Sequence, residues 1–243
     1  MSKYKIRFSK TGSICYISHL DLMRLFTRAV KRAGIRLAYS QGFNPHPKLG
    51  FAQPLSLGYA GLNELMEIET VEDLQPDDIK ERLAALMPPG LDIKTCEYSP
   101  VGGKTLAALT DAAEYIIEIP LSKRTDMSDD DMQRLYMNQD RILTLKKQKK
   151  KKEPAEIDIK PMIRRFSVTQ VSQANDMQPA MLQTQHEAPI IPDGSRLVIN
   201  TLLDSGSNSN LSPELVIRTF VERLNLEADR NEMDITRKQI FFK

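Results

Sequence analysis

The chain has 243 residues, of which 41% are hydrophobic and 27% are charged, a composition that is ordinary for a globular protein. This length suits one large domain or two domains of about 100 to 130 residues each. Lys and Arg number 34 against 32 Asp and Glu, so the net charge of +2 points to no class of partner.

Several functional classes are excluded by motifs that the sequence lacks. No stretch approaches the roughly 20 apolar residues that a membrane span needs, and the N-terminus has no apolar signal region. Cys15 and Cys96 are the only cysteines, too few for a disulfide framework, a four-cysteine zinc site or an iron–sulfur cluster. Phosphate-loop and dinucleotide-binding motifs are absent. We therefore expect a cytoplasmic protein without a metal or cofactor of its own.

Charge is unevenly distributed along the first hundred residues. Residues 1–63 contain ten basic side chains and a single acid, Asp21. Residues 64–100 contain ten acids and three basic side chains. The two segments therefore have opposite signs, although the whole chain is almost neutral.

The first hundred residues have the pattern of a βαββαβ unit. The predicted elements are a strand at 4–8, a helix from the cap Ser18 to 33, strands at 55–59 and 65–71, a helix from Pro76, and a strand at 91–98. Gly34 is placed to end the first helix. The buried stripe of that helix is predicted to be Leu20, Met23, Phe26, Val30 and Ala33. This order is typical of a ferredoxin-like domain, here assigned to residues 1–100.

Residues 101–243 have a looser version of the same pattern. Strands are predicted at 113–120, 141–145, 164–171, 196–203 and 233–242, and helices begin after Ser128 and Ser212. Basic and polar segments near 146–154 and 172–195 are expected to be mobile. The predicted fold class is therefore α+β, with two ferredoxin-like units in tandem, the second irregular with an insertion. One face of the first sheet would be left for a partner domain or a ligand.

The first predicted helix carries a row of arginines. Arg24, Arg28 and Arg32, spaced four residues apart, lie opposite the apolar stripe, and we call them the basic ridge. No acidic residue lies four positions from any of them, so phosphate or an acidic partner would satisfy the ridge. The alternative is a solvated helix face.

The segment that follows this helix is the most unusual in the chain. Residues 39–48 contain Gly42, which permits a positive φ, and two prolines that bracket His46, so a stiff surface loop is predicted. Rigid polar loops often carry binding sites. The candidate binding residues in this loop are Tyr39, Ser40, Gln41, Phe43, Asn44, His46 and Lys48.

Two further features leave their roles open. His19, in the first turn of the helix, and His46 are weak candidates for acid–base catalysis, since a lone histidine is more often structural. The lysine-rich run from Lys146 to Lys152 would contact nucleic acid or acidic lipid, or else form a solvated loop.

The motifs at 16–24 and 39–48, together with Pro88-Pro89-Gly90, resemble a bacterial family of radical-SAM-linked proteins whose function is unknown. The resemblance covers about the first hundred residues. It implies a radical-SAM enzyme as partner, with RNA as the related substrate, and it assigns no catalytic residues. This chain lacks the Cys-x-x-x-Cys-x-x-Cys motif, so it does not itself hold the radical-generating cluster.

Two functions follow from these features. The first is a non-enzymatic accessory module that works with a radical-SAM enzyme and presents RNA. The alternative is an RNA-processing enzyme similar in outline to the endonucleases that process CRISPR repeats, in which His19 and His46 would meet beside a basic groove.

Overall fold

A computed structural model describes residues 1–146, 154–171 and 195–243. The helices are α1 (His19–Arg32), α2 (Pro76–Ala84), α3 (Leu106–Leu109), α4 (Asp129–Met137) and α5 (Pro213–Leu224). The strands are β1 (Ser2–Lys10), β2 (Leu49–Phe51), β3 (Ala60–Thr70), β4 (Leu91–Ser99), β5 (Thr110–Pro120), β6 (Leu143–Lys146), β7 (Ala155–Asp158), β8 (Ile163–Val171), β9 (Arg196–Asp204) and β10 (Asp234–Phe242). The predicted α+β class is confirmed. Within the described ranges, no helix combines the length and hydrophobicity that crossing a membrane requires.

The described residues form two compact units. The first contains Met1–Asp111 together with Arg237–Lys243, and the second contains the described residues between Ala112 and Thr236. The last seven residues of the chain thus belong to the first unit, although the sequence pattern grouped them with the second.

The sheet of the first unit is antiparallel, with β1 between β3 and β4. Ile6 of β1 is opposite Met66 of β3 and Cys96 of β4. The short strand β2 pairs with β3, placing Phe51 beside Met66. Tyr4, Ile6 and Phe8 of β1 join the buried residues of α1 and α2 in one hydrophobic core. The element order is βαββαβ, as the sequence predicts.

Helix α1 begins and ends where its sequence predicts, but its buried face differs from the prediction. The Ser18 hydroxyl accepts a hydrogen bond from the Asp21 amide, and Gly34 follows the helix with φ +72°. Leu22, Phe26, Ala29 and Val30 are buried. The prediction for Leu20 was wrong, because its side chain is 61% exposed. It lies about 160° around the helix from Leu22, outside the buried face.

The predicted strand at 55–59 is also wrong. The strand that pairs with β3 is β2, and residues 55–59 form an irregular loop. Gly58 in this loop has φ +82°, and its N–H donates to the Cys15 carbonyl at 2.9 Å instead of to a strand. The loop is therefore hydrogen-bonded to the 3₁₀ helix Gly12–Tyr16, which the sequence pattern did not predict.

In the second unit β9 lies between β5 and β8, and β6 pairs with β7 in a separate small sheet. An aromatic cluster of Tyr136, Phe166 and Phe220 joins α4, β8 and α5. The Tyr136 hydroxyl forms a 2.8 Å hydrogen bond with Thr219 Oγ1, and burial raises the pKa of Tyr136 to about 12. Residues 147–153 and 172–194, which include His186 and most of the predicted mobile segments, lie outside the described residues.

We predict that Gly90→Ala destabilises the protein more than Gly102→Ala does. Both glycines have a positive φ, which costs an alanine about 1–2 kcal/mol. A Cβ atom on Gly90 would also overlap the Thr11 carbonyl oxygen, whereas no described atom lies within 4 Å of one on Gly102. Chemical denaturation of the two variants measures the difference. Equal losses would show that the contact between Gly90 and Thr11 does not constrain the fold.

Candidate functional site

Several of the opposite charges of the first unit meet as salt bridges. On β1, Lys3 Nζ lies 2.9 Å from Glu67 Oε2 of β3, and Lys5 Nζ lies 3.0 Å from Glu97 Oε2 of β4. The antiparallel pairing places the basic strand between two acidic strands, where cross-strand pairs of opposite charge are stabilising. The uneven charge of the sequence is thus partly neutralised by ion pairs within the unit.

Two of the predicted binding residues take part in this neutralisation. Arg24 Nη1 lies 2.9 Å from Asp21 Oδ1, and Lys48 Nζ lies 2.6 Å from Glu69 Oε2. No acidic residue lies four positions from Arg24, as the sequence shows, but Asp21 lies three positions before it and forms this ion pair. Hydrogen bonds from Ser18 and from Arg24, with the charge of Arg28, lower the pKa of Asp21.

The remaining cations of α1 lie in its C-terminal half. Arg28, Lys31 and Arg32 are exposed, and none of them forms a salt bridge with another described residue. Cations near the C-terminus of a helix interact favourably with its dipole, so the helix accommodates them without an acidic partner. Their charge is available to a ligand or partner.

The Tyr39–Lys48 loop is closed by main-chain hydrogen bonds. The Ser40 N–H donates to the His46 carbonyl at 2.9 Å, and the His46 N–H donates to Ser40 Oγ at 3.0 Å. At its base, the Lys48 N–H donates to the Ala38 carbonyl at 2.8 Å. Gly42 at the tip has φ +132°, a conformation that side chains rarely allow. These bonds account for the predicted stiffness.

The closed loop holds polar and aromatic side chains in solvent. Tyr39, Gln41, Asn44 and His46 are exposed, and the Phe43 side chain at the tip is fully exposed. Exposure of an apolar phenylalanine ring to water is unfavourable. An exposed ring on a loop held by hydrogen bonds is therefore typical of a binding surface. That the loop and the basic ridge form one surface stays a prediction, since Gly34 and Gln41 are seven positions apart and an extended chain of that length spans at most about 25 Å.

The two candidate histidines are placed differently. The His19 ring packs against Phe51, with ring centroids 5.3 Å apart, and His46 is exposed in the loop. Neither a hydrogen bond nor a ring contact joins the two histidines in the described structure. Burial, followed by the positive charges of Lys10 and Arg237, lowers the pKa of His19. These effects favour the neutral imidazole.

The cations beside His19 belong to a buried charge cluster, formed by Lys10, Glu64 and Arg237, that sequence reasoning missed. Arg237 is 1% exposed and Glu64 is 4% exposed. The guanidinium donates to both carboxylate oxygens, from Nε to Oε1 at 2.8 Å and from Nη2 to Oε2 at 2.5 Å. It also donates to the carbonyls of Gln53 at 2.8 Å and Pro54 at 3.1 Å.

Lys10 completes the buried charge cluster. Its Nζ atom donates to the carbonyls of Cys15 at 3.1 Å and Ile17 at 3.2 Å, and the residue is 0% exposed. Desolvation is the main cause that lowers the pKa of Lys10, and the charge of Glu64 opposes it. The strand pattern held a signal of this burial, because Lys10 follows Tyr4, Ile6 and Phe8 at the inward-facing spacing of two.

The comparisons with known proteins identify the family. A bacterial family described as "Uncharacterized protein conserved in bacteria (DUF2344)" matches residues 3–213, and the chain belongs to this family. No curated protein matches the sequence.

Comparison with solved structures gives further matches. A chain in the crystal structure of a Cbf5-Nop10-Gar1 complex is 11% identical with a TM-score of 0.51, and the match covers 98% of this chain and 48% of that one. This protein therefore spans about half the length of that chain, and the likeness concerns the fold alone. An unknown protein from Galdieria sulphuraria is 8% identical with a TM-score of 0.25, covering 97% of this chain and 98% of that one.

We predict that Arg237→Met lowers the free energy of unfolding by about 3–5 kcal/mol, because it leaves the Glu64 carboxylate buried without its partner. Adding Glu64→Leu should recover part of the loss, since the double variant no longer buries the Glu64 carboxylate without its partner. Arg165→Met is the control. It breaks the more exposed pair of Arg165 with Glu114, and pairs of that kind contribute at most about 1 kcal/mol. A double variant less stable than Arg237→Met would contradict this account.

Proposed function

We propose that this protein is a non-enzymatic accessory module that binds RNA and presents it to a radical-SAM enzyme in the cytoplasm. The observation that carries the RNA part is the exposed group Arg28, Lys31 and Arg32, which forms no salt bridge with another described residue, in a unit where several other charges are paired. An RNA backbone supplies phosphates along its length, and a row of cations along one helix matches such a polyanion.

The Tyr39–Lys48 loop supplies the second element of an RNA-binding surface. Proteins that bind single-stranded nucleic acid combine basic grooves with aromatic side chains on which bases stack. Phe43 is a fully exposed ring on a braced loop, and Tyr39 is a second exposed ring near the base of the loop. The amides of Gln41 and Asn44 lie between these rings in sequence and offer hydrogen bonds to base edges.

The radical-SAM partner is inferred from the resemblance of the motifs at 16–24 and 39–48 to radical-SAM-linked proteins. The two cysteines, Cys15 and Cys96, are both buried, and burial raises the pKa of Cys96 to about 12. A buried thiol with a raised pKa is poorly suited to bind an iron–sulfur cluster, because the thiolate is the form that binds metal. In this proposal the radical chemistry therefore belongs to the partner, and this chain contributes RNA binding.

We also infer that the two units are ferredoxin-like and arranged in tandem. In the first unit the order β4-β1-β3, with β2 on the other edge of β3, agrees with the βαββαβ sequence of elements. In the second unit β9 likewise lies between two antiparallel partners, and α4 and α5 follow strands β5 and β9. The hairpin of β6 and β7 corresponds to the expected insertion.

We predict that single-stranded RNA binds with an affinity that falls steeply between about 50 and 200 mM salt, because phosphate contacts release counterions. The double variant Arg28→Ala/Arg32→Ala should lower the slope of log K against log salt by about 1.4, or about 0.7 for each lost contact. Fluorescence anisotropy with a labelled oligonucleotide measures this slope. The matched control is Lys80→Ala/Arg82→Ala on α2, which removes the same charge from a helix that begins with acids.

The variant Phe43→Ala separates stacking from charge. It should weaken RNA binding by about 1–3 kcal/mol, the contribution of one stacked base, and leave the salt slope unchanged. If the arginine variant has the slope of the wild-type protein, α1 does not contact phosphates. RNA binding absent at low salt would reject the RNA part of the proposal.

We predict that the protein co-purifies with a radical-SAM enzyme from the same bacterium when the two are co-expressed. Treatment with ribonuclease tests whether RNA bridges them: a complex that survives is held by protein contacts, and one that dissociates is held by RNA. The Arg28→Ala/Arg32→Ala variant should remain in a protein-mediated complex, since its surface is assigned to RNA. Failure of every co-expressed radical-SAM enzyme to associate, with RNA present, would reject the partner.

A further inference from the structure

Strand β1 has two different faces, because successive side chains point to opposite sides of a strand. One face packs into the hydrophobic core with α1 and α2, and it consists of Tyr4, Ile6 and Phe8. The basic residues Lys3, Lys5 and Arg7 occupy the alternate positions of the strand. They therefore point away from the two helices, to the side that we call the outer face of the sheet.

Arg7 differs from the other two cations of the outer face in having no acidic partner. Lys3 and Lys5 are paired with glutamates of the neighbouring strands. The residues opposite Arg7 are Leu65 on β3 and Thr95 on β4, and neither is an acid. Within residues 1–146, 154–171 and 195–243, Arg7 forms no hydrogen bond and no salt bridge.

The Arg7 guanidinium is partly withdrawn from water. Its Nε atom is buried without an acceptor among the described residues, whereas the residue as a whole is partly exposed. The nearby carboxylate of Asp92 accepts a hydrogen bond from Ser9 Oγ at 3.1 Å, and the Glu67 carboxylate also accepts one from the Leu106 N–H at 3.2 Å. A buried donor without an acceptor lowers stability, so it calls for an explanation other than folding.

A second unused donor lies beside Arg7. Thr95 is directly opposite it on β4, and residues in that relation share a face, with Cβ atoms about 5 Å apart. The Thr95 hydroxyl is partly exposed and has no hydrogen bond with another residue in the described part of the chain. The pairing of β1 with β4 shifts between Arg7 and Phe8, which leaves Lys94 as an extra residue. Such bulges re-aim side chains and are common beside binding sites.

The outer face is open on the β4 side of this position. Asp92, Lys94 and Glu97 of β4 are exposed. On the β3 side, Leu65 is buried in a cluster with Leu106 of α3 and Ile240 of β10, which forms an apolar wall. Arg7 and Thr95 therefore lie between an apolar wall and an accessible strand.

We propose that Arg7 and Thr95 form a docking position for an aspartate or glutamate side chain of the protein partner. The inference rests on the proposed function, in which that partner is a radical-SAM enzyme. A guanidinium donates two parallel hydrogen bonds to a carboxylate, which compensates the charge delocalised over all three of its nitrogens, and the Thr95 hydroxyl donates a third.

Charge on the same strand favours a single carboxylate over RNA. The carboxylates of Asp92 and Glu97 are exposed beside the position, and they repel an extended polyanion more than they repel one acidic side chain. The location is also complementary to the RNA surface, because α1 packs on the opposite side of the sheet. The first unit can thus hold RNA on its helical side and the enzyme on its outer face.

The first test is the stability of the free protein. Arg7→Met keeps the apolar stem of the side chain and removes the guanidinium. We expect its midpoint of chemical denaturation to equal or exceed that of the wild-type chain, because the guanidinium has no partner before docking. Lys5→Met is the comparison, since it removes a cation that is paired with Glu97 on the same face. A midpoint for Arg7→Met clearly below that of Lys5→Met would overturn the proposal, because Arg7 would then be a structural residue.

The second test is binding to the co-expressed radical-SAM enzyme of the same bacterium after treatment with ribonuclease. Arg7→Met should raise the dissociation constant at least about tenfold, as expected for a central interface arginine. Thr95→Val, which removes only the hydroxyl, should have a smaller effect. Arg82→Met changes an exposed arginine on α2 in the same way and should have none. RNA binding by Arg7→Met should keep the affinity and the salt slope of the wild-type protein.

The outcomes separate this inference from the proposed function. If the wild-type chain binds the enzyme and Arg7→Met binds it equally well, the docking position is wrong and the proposed function stands. If Arg7→Met weakens RNA binding instead, the outer face contacts phosphate and the proposal is overturned. If the wild-type chain does not bind the enzyme, the partner itself is rejected, and the docking position with it.

Discussion

The first unit depends on the buried ion pair between Arg237 and Glu64, two residues that are 173 positions apart in sequence. Arg237 links β10 to β3 through this pair and to the loop after β2 through the carbonyls of Gln53 and Pro54. The unit thus requires the last residues of the chain as well as the first hundred. The Arg237 guanidinium pairs with both oxygens of the Glu64 carboxylate, and the Lys10 ammonium donates its hydrogen bonds to the carbonyls of Cys15 and Ile17.

Charge neutralisation decides which surfaces remain available for binding. The strands β1, β3 and β4 pair lysines with glutamates, and Asp21 and Glu69 pair with Arg24 and Lys48 of the predicted binding residues. The exposed cations of α1 without a salt bridge to another described residue lie at the C-terminal end of the helix. The chain continues from there through Gly34 to the braced loop that carries Phe43. The proposed RNA surface consists of these neighbouring parts of the sequence.

Local signals in the sequence predicted the elements well, and contacts between distant residues were the main source of error. The sequence predicted three such features: the Ser18 cap, the end of α1 at Gly34 and the turn of the Tyr39–Lys48 loop. Each depends on residues within ten positions of one another. The segment at 55–59 was assigned as a strand because its apolar residues resemble one, but the hydrogen bond of Gly58 to Cys15 holds it as a loop. The role of Arg237 could not be predicted from the sequence, since no local pattern identifies Glu64 as its partner. The pair of Arg24 with Asp21 is local and was missed because only acids four positions away were considered. Side chains three positions apart on a helix are also neighbours.

The central claim is that the C-terminal half of α1 and the tip of the loop form one RNA-binding face. Chemical-shift mapping of the isotopically labelled protein with a short single-stranded RNA tests it most directly. The account predicts that the largest shift changes cluster at Arg28–Arg32 and at Tyr39–Lys48, and that the amides of α2 and of the second unit change little. Changes that cluster on another surface, or that affect α1 without the loop, would contradict it.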